Sequence, residues 1–118
     1  MKVAVVSGGT KGIGRAISEL LLEKDFFVHI SARNIDETFN DDNLMQHQID
    51  MSIKEETQKF AKAVLDYSPT IDILVNNVGV FMPGKLMEEE DGNFEAQINT
   101  NLASTYHLTR SIMPGIKR

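Results

Sequence analysis

Three glycines at fixed spacing, Gly8-x-x-x-Gly12-x-Gly14, stand between a short apolar run and an amphipathic stretch, and this placement constrains the chain most. Residues 2–7 are rich in β-branched side chains and are cut off by the glycines, which predicts a buried strand. Residues 12–24 follow with helical spacing, Ile13, Ile17, Leu20 and Leu21 on one face and Arg15, Glu19 and Glu23 off it. A strand that passes into a helix through glycine offers the helix's unbonded first amides to an anion above the turn. Such glycines turn the chain sharply, let the backbone approach a pyrophosphate and let the helix pack on the strand. A bare strand-to-helix turn has the same composition, so context must decide. A P-loop is excluded, because Arg15-Ala16 follow Gly14 where that motif needs Lys-Ser or Lys-Thr.

The rest of the chain supplies the context. Further strands are predicted over residues 26–31, 45–50 and 71–75, with a polar loop carrying some helical turn over 34–43. Ser52 is placed to cap the next helix, with Glu55 completing a capping box. Phe60, Ala61, Val64 and Leu65 form that helix's apolar side, and it ends before Pro69. Residues 79–90 read as a loop, 91–98 and 102–113 as helices, and Pro114-Gly115 as a stop or kink. Strand, helix, strand, strand, helix, strand is the rhythm of a parallel sheet covered by helices. The expected fold is α/β, a Rossmann-like doubly wound parallel sheet of about four strands. With 118 residues, 42% of them hydrophobic, one compact domain over 1–118 can bury a core.

Composition removes several functions. There is no cysteine, hence no disulfide framework and no thiolate metal site, which fits a cytoplasmic protein. A net charge of −5 argues against nucleic acid or an acidic membrane as a general partner. The apolar run over 3–6 is too short for a membrane span or a signal core. Glu88-Glu89-Glu90-Asp91 reads as a solvated loop entering a helix. His29, His47 and His107 lack ligand spacing, so no metal site is expected, and Met82, Met87 and Met113 read as packing residues.

Ser7-Gly8-Gly9-Thr10-Lys11-Gly12-Ile13-Gly14 resembles the Thr-Gly-x-x-x-Gly-x-Gly signature of the short-chain dehydrogenases/reductases, with Ser7 for the usual Thr. The resemblance continues in order along the whole chain. Asp50 stands at the end of the third strand, where the family's acidic residue contacts the adenine. Asn76-Asn77-Val78-Gly79 is similar to the family's Asn-Asn-Ala-Gly, with Val78 as the departure. Asn101 opens the last helix, where the family places its catalytic Asn; it also reads as a helix cap, and the two roles are compatible. The resemblance implies an oxidoreductase that transfers hydride between a nicotinamide cofactor and a small carbonyl or alcohol. It also implies a homo-oligomer, since the last helix resembles one that pairs subunits. Similarity extends to 3-oxoacyl carrier-protein reductases and sepiapterin-type reductases without choosing between them.

The second strand ends in Ser31-Ala32-Arg33-Asn34, with no carboxylate to hold a ribose 2′-hydroxyl. Arg33 there, with Lys11 in the glycine turn, makes a small positive pocket suited to a 2′-phosphate, so the expected cofactor is NADP(H). Asp36 lies too far along the loop to be the usual ribose ligand. The expected cofactor contacts are Ser7, Gly8, Thr10, Lys11, Gly12, Ile13, Gly14, Arg33, Asn34, Asp50, Met51, Asn77, Val78 and Gly79, with Asn101 as the catalytic residue. Tyr106 to Arg110 imitates the family's Tyr-x-x-x-Lys but lies in the same helix as Asn101, and Arg is a poor substitute for that Lys. The family's catalytic Ser and Tyr-x-x-x-Lys are expected beyond Arg118, so the chain reads as the cofactor-binding part, inactive alone, with an exposed fourth strand. The alternative is a non-catalytic NADP(H)-binding or redox-sensing module.

Overall fold

A computed structural model describes residues 1–77, 92, 95 and 98–117. Four parallel strands form one sheet: β1 (Val3–Ser7), β2 (Phe27–Ala32), β3 (Leu44–Gln48) and β4 (Ile73–Val75), in the order β3-β2-β1-β4. Helix α1 (Gly12–Glu23) joins β1 to β2, and α2 (Lys54–Tyr67) joins β3 to β4. A π-helical turn (Ile98–Ala103) runs into α3 (Ser104–Ile112) and a 3₁₀ turn (Met113–Gly115). The doubly wound α/β fold is therefore as expected.

Alternation along β1 and β2 sorts the core into two layers. Val5 faces α2 and α3, with Met51, Phe60, Ala61, Val64, Ile71, Leu108 and Ile112. Ala4, Val6, Val28 and Ile30 face the other way, against Leu21 of α1 and Phe39. Phe39 belongs to the β2–β3 connection, where it lies buried and covers the sheet as a helix residue otherwise would.

Several local expectations are corrected. In α1 the inward residues are Gly14, Ser18 and Leu21, while Ile13 is 73% and Leu20 51% exposed. Small residues let the helix lie close to the sheet, and Ser18 Oγ donates to the Gly14 carbonyl at 2.8 Å. The β2 strand starts one residue late because the Phe26 amide closes α1 on Leu21 O, 3.0 Å away. Ser52 does not cap α2: its hydroxyl and amide both donate to Asp50 Oδ1, at 2.6 and 3.0 Å, and the N-cap is Ile53. Among the described residues β4 is the sheet's edge, as expected, but Ile71 just before it forms a bridge with Ile116, so one end of that edge is covered. Among the described residues no helix is long and apolar enough to cross a membrane.

Candidate functional site

Parallel strands bring their carboxyl ends together, and the ends of β1, β2 and β4 meet at the glycine turn. The turn is tied to both neighbouring strands. The Gly8 amide donates to Ser31 Oγ at 3.1 Å, and the Gly9 amide to Ser31 O at 3.2 Å. On the other side the Asn77 amide donates to Ser7 Oγ at 2.9 Å, and Asn77 Nδ2 donates to Gly8 O at 3.1 Å. Ser7 Oγ in turn donates to Val75 O at 3.4 Å.

Gly8 and Gly12 take the left-handed backbone, with φ of 68° and 54°. An added Cβ on Gly14 would collide with Gly8 O and Asn77 Nδ2, so helix, turn and β4 meet there without room for a side chain. An added Cβ on Gly12 would meet nothing within 4 Å. Lys11 is the N-cap of α1 and makes no side-chain capping bond, so the first-turn amides of this 12-residue helix lack a side-chain acceptor there. Open space and the positive end of a helix dipole fit a pyrophosphate. Lys11, Gly12 and Ile13 are exposed at this mouth, whereas Thr10 is buried under it.

At the end of β2, Arg33 and Asn34 are exposed, and Gln48 Nε2 donates to Arg33 O at 3.2 Å. Asp50 is half-buried; its amide donates to Glu56 Oε1 at 3.1 Å. The Ser52 hydrogen bonds hold the Asp50 carboxyl below its usual range, and Arg33 adds to this through its charge. The Met51 side chain packs in the core, and its carbonyl accepts from Thr57 Oγ1 at 3.3 Å.

The partners of Asp36 were invisible in the sequence. Its Oδ2 accepts from Arg15 Nη1 at 2.8 Å, and its Oδ1 accepts from the Thr38 amide at 2.9 Å and hydroxyl at 2.6 Å. Ser31, as the holder of the turn, was missed as well. The signal available for Ser31 was its strand-end position, two residues before Arg33.

Asn76 points elsewhere, donating through Nδ2 to Thr109 Oγ1 of α3 at 3.2 Å. Val78 and Gly79 lie outside the described residues, as do Met82, Met87 and the 88–91 charge run. The helix read over 91–98 lies largely outside the described residues, and the one read over 102–113 is corrected at its start, where the π turn Ile98–Ala103 precedes α3. Asn101 sits inside the π turn rather than at a helix cap, exposed, with its carbonyl accepting from Thr105 Oγ1 at 3.1 Å. Extra winding of this kind is a frequent mark of functional positions. Tyr106 and Arg110 are exposed on α3, where Arg110 Nη1 donates to the Tyr106 hydroxyl at 3.2 Å.

Comparison with known proteins places this geometry. The short chain dehydrogenase family model matches residues 2–118. A 3-oxoacyl-(acyl-carrier-protein) reductase of Vibrio harveyi is 32% identical over 123 residues, covering 99% of this chain and 50% of the relative. A tropinone reductase homologue of Arabidopsis thaliana is 34% identical over 125 residues, covering 97% and 47%. Among solved structures, ElxO with NADP bound is similar with a TM-score of 0.85 at 26% identity, covering 95% of this chain and 49% of that one. The chain thus spans about half the length of the relatives it matches.

Proposed function

The chain belongs to the short-chain dehydrogenase family, and we propose that it forms the NADP(H)-binding half of a reductase acting on a carbonyl or alcohol. The observation that carries this reading is the open glycine turn, with exposed Lys11 in it and exposed Arg33 at the end of β2. In this reading the amides of Gly12, Ile13 and Gly14 hold the pyrophosphate, with Ser7, Gly8 and Thr10 shaping the turn beneath it. Lys11, Arg33 and Asn34 receive the 2′-phosphate. Asp50 and the Met51 amide border the adenine, and Asn77, Val78 and Gly79 border the ribose on the nicotinamide side. Asn101, carried on the π turn, orders the proton path. Bound NADP(H) supplies the hydride. The protein residues bind, orient and exclude water. The names of the relatives support a carbonyl as the substrate class.

A binding titration tests the reading. NADPH should bind at least about tenfold more tightly than NADH, and Arg33→Ala should remove roughly tenfold or more of the NADPH affinity, the usual worth of a charged hydrogen bond. Equal binding of the two coenzymes, or an Arg33→Ala variant with unchanged NADPH affinity, refutes it.

A further inference from the structure

The β2–β3 connection begins at Arg33 and is held in one shape by four separate ties. Phe39 is anchored in the core beneath α1. Gln46 of β3 holds the middle of the connection: its Nε2 donates to Asp36 O and Phe39 O, both at 2.8 Å, and its Oε1 accepts from the Asp36 amide at 2.9 Å. Thr38 saturates Asp36 Oδ1 through amide and hydroxyl. Arg15 supplies the fourth tie from α1. Its guanidinium lies 4.4 Å above the Phe39 ring, its Nη1 donates to Asp36 Oδ2, and its Nε donates to Glu19 Oε1 at 2.8 Å.

Asp36 is three residues from Arg33, hence within roughly 11 Å of it along the chain. A carboxylate free to turn toward Arg33 would compete with a phosphate for that cation and repel the phosphate directly. It would also give a ribose 2′-hydroxyl an acceptor. In the structure it does neither. The Thr38 hydrogen bonds and the Arg15 charge hold Asp36 ionised, yet Oδ1 faces Thr38 within the connection and Oδ2 faces Arg15 of α1.

We propose that Arg15 is a positioning residue for coenzyme choice: by clamping and neutralising Asp36 it keeps that carboxylate out of the pocket formed by Arg33 and Lys11. The proposal rests on the NADP(H) reading above and deepens it. Arg15 acts through Asp36 and not by touching the coenzyme. It is therefore distinct from Lys11 and Arg33, which meet the phosphate themselves.

The test is a set of NADPH and NADH titrations at low ionic strength on wild type, Arg15→Gln, Arg15→Lys and the Arg15→Gln/Asp36→Asn double variant. Releasing one negative charge near a phosphate dianion should lower the NADPH-over-NADH preference of Arg15→Gln on the order of fivefold, and added salt should shrink the change. Arg15→Lys should keep most of the preference. The double variant should regain it, because the released charge is gone. If wild type prefers NADPH but Arg15→Gln keeps that preference, or loses affinity for both coenzymes equally, the clamp is refuted while the coenzyme reading stands. A double variant as weakened as Arg15→Gln also refutes it. A wild type without NADPH preference refutes the coenzyme reading and the clamp together.

Discussion

His29 gives the sharpest prediction about stability. It is fully buried on β2, with its ring centroid 5.0 Å from Phe27, 5.3 Å from His47 and 5.6 Å from Tyr67. Its Nδ1 shares a hydrogen bond with His47 Nε2 at 3.1 Å, and its Nε2 one with Ser68 Oγ at 2.9 Å. Burial first, and the neighbouring His47 second, push its pKa from 6.5 down to about 4. The unfolded chain takes up this proton near pH 6.5 while the folded one resists until about pH 4. In that window the unfolded state binds more protons, so stability falls as pH falls. The contribution is full above pH 6.5 and gone below about pH 4. At about 1.4 kcal/mol per unit the whole loss is about 3 kcal/mol, a large share of a stability of about 5–15 kcal/mol. His47, also lowered by burial, adds in the same direction.

The measurement is urea unfolding of wild type and His29→Gln at several pH values from about 7.5 to about 4.5, followed by circular dichroism. Glutamine keeps hydrogen-bonding capacity and cannot titrate. The variant is expected to be less stable at neutral pH. Its stability should then fall with acid less steeply than wild type's, by about 2–3 kcal/mol across the range. Asp36 and Asp50, whose pKa values are held low, also lose stabilisation in acid, but they do so equally in both proteins. Parallel pH profiles for the two proteins would show that His29 carries no such penalty and would refute the reasoning.

Two further outcomes follow from the backbone. Gly14→Ala drives a methyl into Gly8 O and Asn77 Nδ2, so it should cost about 1–3 kcal/mol in urea unfolding and weaken NADPH binding with it; an unaltered midpoint and affinity would contradict the close approach seen there. Asp25, two residues past the end of α1, has φ 64°, a left-handed conformation costly for a side chain. Asp25→Gly should therefore stabilise by about 1 kcal/mol in calorimetry, and a variant no more stable than wild type would show the strain to be absent.

Much of the fold was legible because strand-forming runs and turn glycines act locally. Residues 2–7 and 71–75 end where β1 and β4 end. The errors came where size and local pattern stood in for contact. Ile13 and Leu20 have the helical spacing of a buried face, but α1 meets the sheet through Gly14, Ser18 and Leu21, since small side chains allow the closest approach. Ser52 and Glu55 have the spacing of a capping box, but Asp50 two residues earlier offers a charged acceptor and takes the hydroxyl. Lys11 in the turn and Arg33 at the end of β2 are exposed, as their positions in the sequence suggest. The commitment of Asp36 could not be read from position, because it depends on where α1, the connection and β3 meet in space.

The candidate site is for the same reason more than a glycine motif. Its turn owes its shape to Ser31 on one side and Asn77 on the other, residues 23 and 69 positions from Gly8. Gly14 can approach Gly8 and Asn77 only because it has no Cβ, which would collide with the Gly8 carbonyl and the Asn77 amide. The sequence Gly-x-x-x-Gly-x-Gly thus specifies a turn, while parallel pairing of β1 with β2 and β4 specifies its width. A chain with the glycines but without polar groups at the ends of the flanking strands would keep the motif and lose the cradle. The strand-end residues therefore belong to the site as much as the glycines do, although a ligand need touch only the latter.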